Sequence, residues 1–207
     1  MPAGPRPGDS VASIPRASCA LRPAEPTETF VSHLRRPDSA EHAEYYQRYI
    51  DTVPDGDILE TLMGQLEETL RPLEGVSTET ELFRYAPGKW NLREVLGHII
   101  DAERLFAYRA LTMAREKNAD LPGMDQDQWS DESNAGERPL SDLMAEWIAV
   151  RRATVHLFAS LPEGAGARLG RASGYTFSVR SFAWIIAGHE LWHRQLIAEH
   201  YLGGGNG

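Results

Sequence analysis

The chain has 207 residues, 42% of them hydrophobic, and a formal net charge of −9. This length allows one sizeable hydrophobic core, and the negative charge without a Lys or Arg stripe excludes a phosphate-binding surface for nucleic acid. The sequence shows no long apolar run and no secretory signal, and its single cysteine, Cys19, excludes an internal disulfide. We therefore expect a cytoplasmic, single-domain protein with neither nucleic acid nor membrane as a partner.

The first forty residues differ from the rest in composition. Residues 1–40 hold seven of the 13 prolines and show no apolar periodicity, which is typical of a disordered segment. We expect a disordered extension over residues 1–40, a folded domain over residues 41–202 and a flexible, glycine-rich tail over residues 203–207.

Two helices are predicted at the start of the folded part. Three tyrosines, Tyr45, Tyr46 and Tyr49, indicate a short helix laid across the longer ones. Asp57 then provides the N-cap of a first long helix, whose buried stripe consists mainly of leucines. Pro72 limits the last turn of that helix.

A second long helix follows the aromatic loop that ends at Trp90. Asn91 is its predicted N-cap, and Glu94, three residues later, completes a capping-box pattern. The helix is expected to run to about Arg115 and carries His98 on an apolar stripe. The imidazole of His98 is therefore predicted to face a core.

Three polar residues of this helix, Asp101, Glu103 and Arg109, are candidates to orient a metal ligand through a hydrogen bond. Each has a simpler alternative, because charged residues on a helix more often lie at the surface or in ion pairs. The residues alone leave both interpretations open.

A long connection separates the second helix from a third. Residues 116–138 are polar, and their acidic run lacks the ligand spacing of a calcium loop. Ser141 is predicted to cap the third helix, which ends before Pro162. The glycine-rich residues 163–177 allow a short extended pair, but they lack the strand-and-helix context of a nucleotide-binding loop.

The fourth long helix begins with Ser178 as its N-cap and contains Gly188-His-Glu-Leu-Trp-His193. His189 and His193 are four residues apart, so they lie on one helix face, one turn apart. Phe182 and other apolar residues share this face. Both imidazoles are therefore predicted to point into the molecule.

Three inward histidines on two apolar stripes suggest a metal site. Neutral imidazoles at this separation chelate a divalent ion, and His98, His189 and His193 would leave one coordination position open. The alternative is three core histidines satisfied by hydrogen bonds. His156, on the third helix, has no clustered partner and is excluded from the site. Zinc and nickel are the expected ions, with iron and manganese as alternatives.

Two segments carry a resemblance to a known family. Pro87-Gly-Lys-Trp-Asn-Leu-Arg-Glu-Val-Leu-Gly-His-Ile-Ile-Asp-Ala-Glu-Arg104 and the closing Ala-Trp-Ile-Ile-Ala-Gly-His-Glu-Leu-Trp-His resemble the DinB/YfiT-like family of metal-dependent enzymes. The likeness spans about Tyr45 to Leu202. It implies an all-α fold, a four-helix bundle with one crossover connection, usually assembled as a homodimer.

The resemblance also implies a site and a choice of reactions. By motif, the family's metal ligands fall on His98, His189 and His193, and Trp192 stands where many members carry a further histidine. Members include S-transferases that use a low-molecular-weight thiol as co-substrate, and proteins described as metal hydrolases. The resemblance favours a thiol-dependent S-transferase acting on small electrophiles, with a metal-dependent hydrolase as the alternative.

The closing motif also matches the H-E-x-x-H pattern of zinc peptidases, in which the Glu is a general base. That class needs a further ligand downstream, and Leu196 stands where the glycine of its commonest continuation should be. The peptidase interpretation is therefore disfavoured. Glu190 is still the candidate catalytic base, although its helix position also allows it to point outward or to pair with Arg194.

The substrate is expected to be a small molecule, which either a thiolate or an activated water attacks. Tyr85, Trp90 and Trp129 are candidate pocket walls, with core packing as the alternative use of each. A function of another class stays open, namely a non-catalytic stress-response bundle that binds a metal or a ligand.

Overall fold

The computed structural model describes residues 34–203, which form a bundle of long helices with a small sheet at one end. The described helices are α1 (Gln47–Ile50), α2 (Ile58–Leu70), α3 (Thr78–Leu82), α4 (Leu92–Arg115), α5 (Gln126–Glu132), α6 (Leu140–Ala159) and α7 (Val179–Ile197), followed by a π-helical turn (Ala198–Leu202). The strands are β1 (Asp120–Leu121), β2 (Leu169–Ala172) and β3 (Tyr175–Ser178). The four long helices α2, α4, α6 and α7 confirm the predicted all-α bundle.

Three predicted caps start three of the long helices. The carboxylate of Asp57 accepts from the backbone N–H of Leu59 at 2.7 Å, and Asn91 with Glu94 forms a reciprocal capping box. Ser178 accepts from the N–H of Ser181 at 3.2 Å. Each cap satisfies backbone donors that a helix leaves free at its first turn, so these boundaries follow from local sequence.

The third long helix, α6, begins two residues earlier than predicted. Its N-cap is Pro139, and Ser141 lies exposed inside the first turn, so the assignment of Ser141 as the cap is wrong. The carbonyl of Pro139 accepts from the N–H groups of Asp142 and Leu143. Proline has no N–H and a fixed φ, so at the start of a helix, where the N–H groups are unpaired, it costs no backbone hydrogen bond.

The connection between α4 and α6 is more ordered than expected. Asp125 caps α5 by accepting from the N–H groups of Asp127 and Gln128, so part of the acidic run serves as a helix start. Strand β1 pairs in parallel with β2, and β2 pairs antiparallel with β3. The glycine-rich stretch thus forms the predicted extended pair, whereas β1 and the short helix α3 were not predicted.

A layer of buried polar side chains crosses the centre of the bundle. The fully buried Arg151 of α6 donates from Nε to Oε1 of Glu103 on α4 at 2.8 Å and from Nη1 to the carbonyl of Leu62 on α2 at 2.8 Å. Trp147 donates to the other oxygen of Glu103 at 3.0 Å. Apolar clusters lie on both sides of this layer.

The N-terminal boundary of the packed region is earlier than residue 40. Leu34 is buried, and its carbonyl accepts from Nε1 of Trp184 on α7 at 2.8 Å. The guanidinium of Arg36 lies 4.3 Å from the ring centroid of Trp184 and donates to the carbonyl of Ile50. Residues 34–40 therefore pack on the bundle, which corrects the boundary of the expected extension.

Two parts of the chain lie outside the described residues. They are residues 1–33 of the expected extension, which include Cys19, and residues 204–207 of the expected tail. Over residues 34–203, every helix is too short or too polar to cross a lipid bilayer.

Candidate metal centre

Three histidines from two packed helices converge on one point. His98 of α4 and His189 of α7 approach to 3.1 Å between their Nε2 atoms, and His193 completes the group. One ring nitrogen from each histidine lies within 4.8 Å of the others. All three side chains are buried, with 7%, 7% and 9% of their surface exposed.

Two glycines allow the surrounding backbone to come close to these histidines. A Cβ atom at Gly188, which precedes His189, would lie 2.0 Å from the carbonyl oxygen of Tyr49. A Cβ atom at Gly97, which precedes His98, would lie 2.6 Å from the Cβ of Ala135. Glycine at both positions therefore lets α1 and the α5–α6 connection pack directly against the helices that carry the site.

Burial keeps the three imidazoles neutral at ordinary pH. Loss of hydration lowers the pKa of His98 to about 4 and that of His193, which also faces His98, to about 3. Burial and the other two histidines hold the pKa of His189 well below its usual value. Neutral imidazole is the form that binds a metal ion, so the site is held in its ligating state.

The donor set fits a divalent cation. Two imidazole nitrogens bound to one tetrahedral zinc ion would lie roughly 3.3 Å apart. The separation of 3.1 Å between His98 and His189 is close to that value. Nδ1 of His193 is buried and has no hydrogen-bond partner among the described residues, so the protein alone does not satisfy this ring.

Two cavities flank the three histidines. The larger, of about 270 Å³, is lined by His98 and His189 and by residues of the tyrosine-rich segment, of α4, of the start of α5 and of the β2–β3 turn. These are Tyr45, Tyr46, Tyr49, Ala102, Leu105, Phe106, Arg109, Met124, Gln126 and Ser173. The smaller, of about 190 Å³, is lined by His193 together with Tyr85, Gly88, Lys89, Trp90, Val95, Gln126, Asp127, Leu196 and Tyr201. Gln126 borders both, so the histidines separate two adjoining spaces.

Comparison with protein families gives a match to the model of the DinB superfamily over residues 61–197, about two thirds of the chain. The chain belongs to the DinB superfamily. All three histidines fall inside the matched stretch.

A search of solved structures places this DinB chain beside YfiT from Bacillus subtilis, which is described as a probable metal-dependent hydrolase with an unusual four-helix bundle topology. The two share 17% sequence identity at a TM-score of 0.60, over 79% of this chain and 89% of YfiT. At this identity the likeness concerns the fold. Comparison with curated proteins gives no match.

In this DinB chain, Glu190 lies apart from both cavities. Its side chain is 1% exposed and accepts a hydrogen bond from the hydroxyl of Thr69 on α2. Burial raises the pKa of Glu190 to about 7, although the Thr69 hydrogen bond opposes this shift. Arg194 pairs with Glu68 instead. The side chain is therefore neither outward-facing nor paired with Arg194, and its position argues against a role as general base.

The three residues that were candidates to orient a metal ligand lie in different environments. Asp101 lies 3.7 Å from Arg104 in an ion pair near the surface, and Glu103 belongs to the buried layer with Arg151. Among the described contacts, neither carboxylate is bonded to a histidine of the site. Arg109 alone lines a cavity with two of them.

Of the three aromatic residues that were candidate pocket walls, two line a cavity beside the histidines and one does not. The ring centroid of Trp90 lies 4.8 Å from that of His98, and Trp90 and Tyr85 both line the smaller cavity. Trp129 is 42% exposed and borders neither cavity. Trp192 is likewise exposed at 42%, 5.8 Å from Tyr49 between ring centroids.

Sequence reasoning missed several residues that build the larger cavity. The tyrosine-rich segment was assigned to a helix, but nothing in it showed that Tyr45, Tyr46 and Tyr49 would border the site. Ser173 reaches the cavity through a two-residue turn in which Ser173 and Gly174 have φ values of 52° and 82°. These positive values are typical of a tight hairpin turn, a signal that local sequence carries only weakly.

Proposed function

We propose that this chain is a metal-dependent enzyme in which His98, His189 and His193 hold one divalent ion, with zinc or nickel favoured. The supporting observation is the convergence of three neutral imidazoles between two cavities, where Nδ1 of His193 has no hydrogen-bond partner within residues 34–203. A divalent ion in such a donor set lowers the pKa of a thiol or a water molecule that shares it.

We further propose that the reaction is transfer of a low-molecular-weight thiol to a small electrophile. Two adjoining cavities suit two reactants better than one, because each reactant can occupy its own space while both reach the histidines. In the reaction the thiol loses its proton to solvent and its sulfur forms a bond to an electrophilic carbon. The bond from that carbon to the leaving group breaks, and the leaving group departs with the bonding electrons and takes up a proton.

The larger cavity holds neutral phenols that can donate hydrogen bonds to that leaving group. Burial raises the pKa of Tyr46 and of Tyr49 above their ordinary value, so both phenols keep their protons at neutral pH. The ring of Tyr49 lies 5.5 Å from that of His189 between centroids, which also shields this side of the site from water. In this proposal the chain's own side chains orient the reactants and exclude water from the site.

A metal-dependent hydrolase is the second candidate, supported by the description of YfiT. In that reaction water attacks an ester or amide and no thiol is consumed. The two candidates share the site and differ in the second reactant, so they are separable by assay.

The first test is metal content. Protein purified without an affinity tag should carry about one divalent ion per chain, and His193→Ala should remove it because two ligands bind far more weakly than three. The matched control is His156→Ala, which changes an exposed histidine of α6 outside the site and should keep the ion. Full retention of the ion in His193→Ala would contradict the proposal.

The second test separates the reactions. The metal-loaded protein is given cysteine with chlorodinitrobenzene, and separately nitrophenyl acetate without thiol. A transferase consumes the thiol in a metal-dependent way, whereas a hydrolase releases nitrophenol without thiol. Metal-dependent release of nitrophenol without any consumption of thiol would contradict the transferase proposal and support the hydrolase.

A further inference from the structure

The larger cavity is a trough along α4 with the histidines at one end and Arg109 at the other. Arg109 follows His98 by eleven residues, so the two side chains share a helix face. Their backbone positions are about 16 Å apart along the axis, and the arginine side chain leans back toward the helix N-terminus. Ala102 and Phe106 line the trough between them.

The guanidinium of Arg109 is buried among neutral groups. The residue is 2% exposed, and its Nη2 donates to the carbonyl of Pro122 at 2.8 Å and to the hydroxyl of Ser173 at 3.1 Å. The hydroxyl of Tyr46 is a further neutral partner. Within residues 34–203 no carboxylate pairs with Arg109, and its Nε has no hydrogen-bond partner.

The other two arginines that are buried in the described part of the chain are neutralised by carboxylates. Arg151 pairs with Glu103 at 2.8 Å, and Arg180 pairs with Glu41. Burying a cation without an anion costs several kcal/mol, and buried charges are normally paired. Arg109 departs from this rule in a protein with nine excess negative charges, and the lining of its cavity includes no acidic residue.

We propose that Arg109 binds a carboxylate group of the small molecule that reacts beside the histidines, an inference that rests on the function proposed above. A guanidinium presents parallel N–H donors that match a carboxylate, and a bound carboxylate supplies the missing negative charge. The volume of about 270 Å³ limits the molecule to a small organic acid. Its reactive end then lies toward His98 and His189.

The test compares two probes of equal size that differ in charge. Binding of phenylpropanoate and of phenylpropanamide to the full-length protein is measured by calorimetry. We expect the carboxylate to bind at least about tenfold more tightly, as for a charge-assisted pair, and the Nε–Hε resonance of Arg109 to shift with the carboxylate only. Equal binding of the two probes by the wild-type protein overturns the proposal without any variant.

Two substitutions assign the preference to this residue. Arg109→Met should abolish the preference for the carboxylate, while Arg104→Met, on the same helix but half-exposed and paired with Glu146, should leave it unchanged. A purely structural arginine would lower the melting temperature of Arg109→Met and leave the ratio of the two affinities unaltered. Should Arg109→Met fail to fold, Arg109→Lys replaces it and should reduce the preference without removing it.

A further variant separates this inference from the metal proposal. A carboxylate bound to a metal ion would lose its advantage in His193→Ala, whereas a carboxylate bound to Arg109 would keep it. Persistence of the preference in that variant supports Arg109 whatever the metal analysis shows. Its loss in His193→Ala together with retention in Arg109→Met would overturn the proposal.

Discussion

Glu41 shows how one side chain fixes the N-terminal segment to the bundle. Its carboxylate accepts hydrogen bonds from Arg180 of α7, including one from Nε at 2.8 Å. Burial alone would raise the pKa of Glu41, but the hydrogen bonds from Arg180 and Ser178 lower it to about 2. Both partners are largely buried, with 14% and 6% of their side chains exposed, so solvent screens this pair only in part.

This shift predicts a dependence of stability on acid. Because the folded-state pKa lies below the unfolded one, Glu41 contributes stability above about pH 4.5 and loses it as pH falls toward about 2. Allowing for screening, we expect Glu41→Gln to lower the free energy of unfolding by roughly 2–3 kcal/mol near neutral pH. Urea unfolding across pH should show the gap between the two proteins closing in acid. A gap of constant size would contradict the prediction, and Glu60→Gln, exposed on α2, is the control.

At the scale of elements, the approach of α1 to α7 depends on a missing side chain. A methyl group at Gly188 would collide with the backbone of Tyr49, which cannot swing away as a flexible side chain does. The contact holds Tyr49 over His189. Local packing of these two helices therefore shapes the larger cavity.

We predict that Gly188→Ala destabilises the protein by about 1–3 kcal/mol, the usual cost of overpacking, and weakens ligand binding in the larger cavity. The control is Gly64→Ala on α2, where an added Cβ meets no atom within 4 Å. That change should stabilise by about 0.5–1 kcal/mol, since alanine is the better helix former. Thermal unfolding of both variants checks the prediction, and equal effects would contradict it.

Elements were predictable where their signals are local. Asp57, Asn91 and Ser178 cap helices through atoms two or three residues away, so sequence alone placed these helix starts. Strand β1 escaped prediction because its pairing joins Asp120 to Arg171, and such a contact has no short-range signature. The start of α6 was misplaced because a serine near a proline offers two plausible caps.

At the scale of the whole molecule, the polar layer centred on Arg151 joins α2, α4 and α6. Over residues 34–203, Glu103 is the only carboxylate that pairs with Arg151, so removing one partner leaves an unpaired buried charge. We predict that Arg151→Met costs about 3–5 kcal/mol of stability. The double variant Arg151→Met with Glu103→Gln should be more stable than Arg151→Met alone, because the glutamine is neutral and still accepts from Trp147.

Chemical denaturation of the two variants measures the difference. Arg138→Met provides the control, since Arg138 pairs with Asp142 and Glu146 near the surface and should contribute about 1 kcal/mol or less. A double variant no more stable than Arg151→Met would show that the buried charge is not the source of the loss.

The sequence predicted the three histidines of the candidate site but not the side chains that surround them. Helical spacing aligned His189 with His193, and the apolar stripe of the second long helix turned His98 inward, because both are short-range patterns; the resemblance implied the same three ligands. The surroundings of Glu190, the tyrosine wall and the uncompensated Arg109 depend on which helices pack together, which short motifs do not encode. The expected homodimer stays a prediction that sedimentation can test.

The match to the superfamily begins at residue 61, whereas Tyr45, Tyr46 and Tyr49 precede it. The histidines proposed to bind a cation and the tyrosines that line the larger cavity therefore come from separable stretches of the chain. Exchanging the tyrosine-bearing stretch for another would keep the histidines while changing the shape of the larger cavity, so relatives of the proposed enzyme could differ in the molecule they accept and still share the same ligand set.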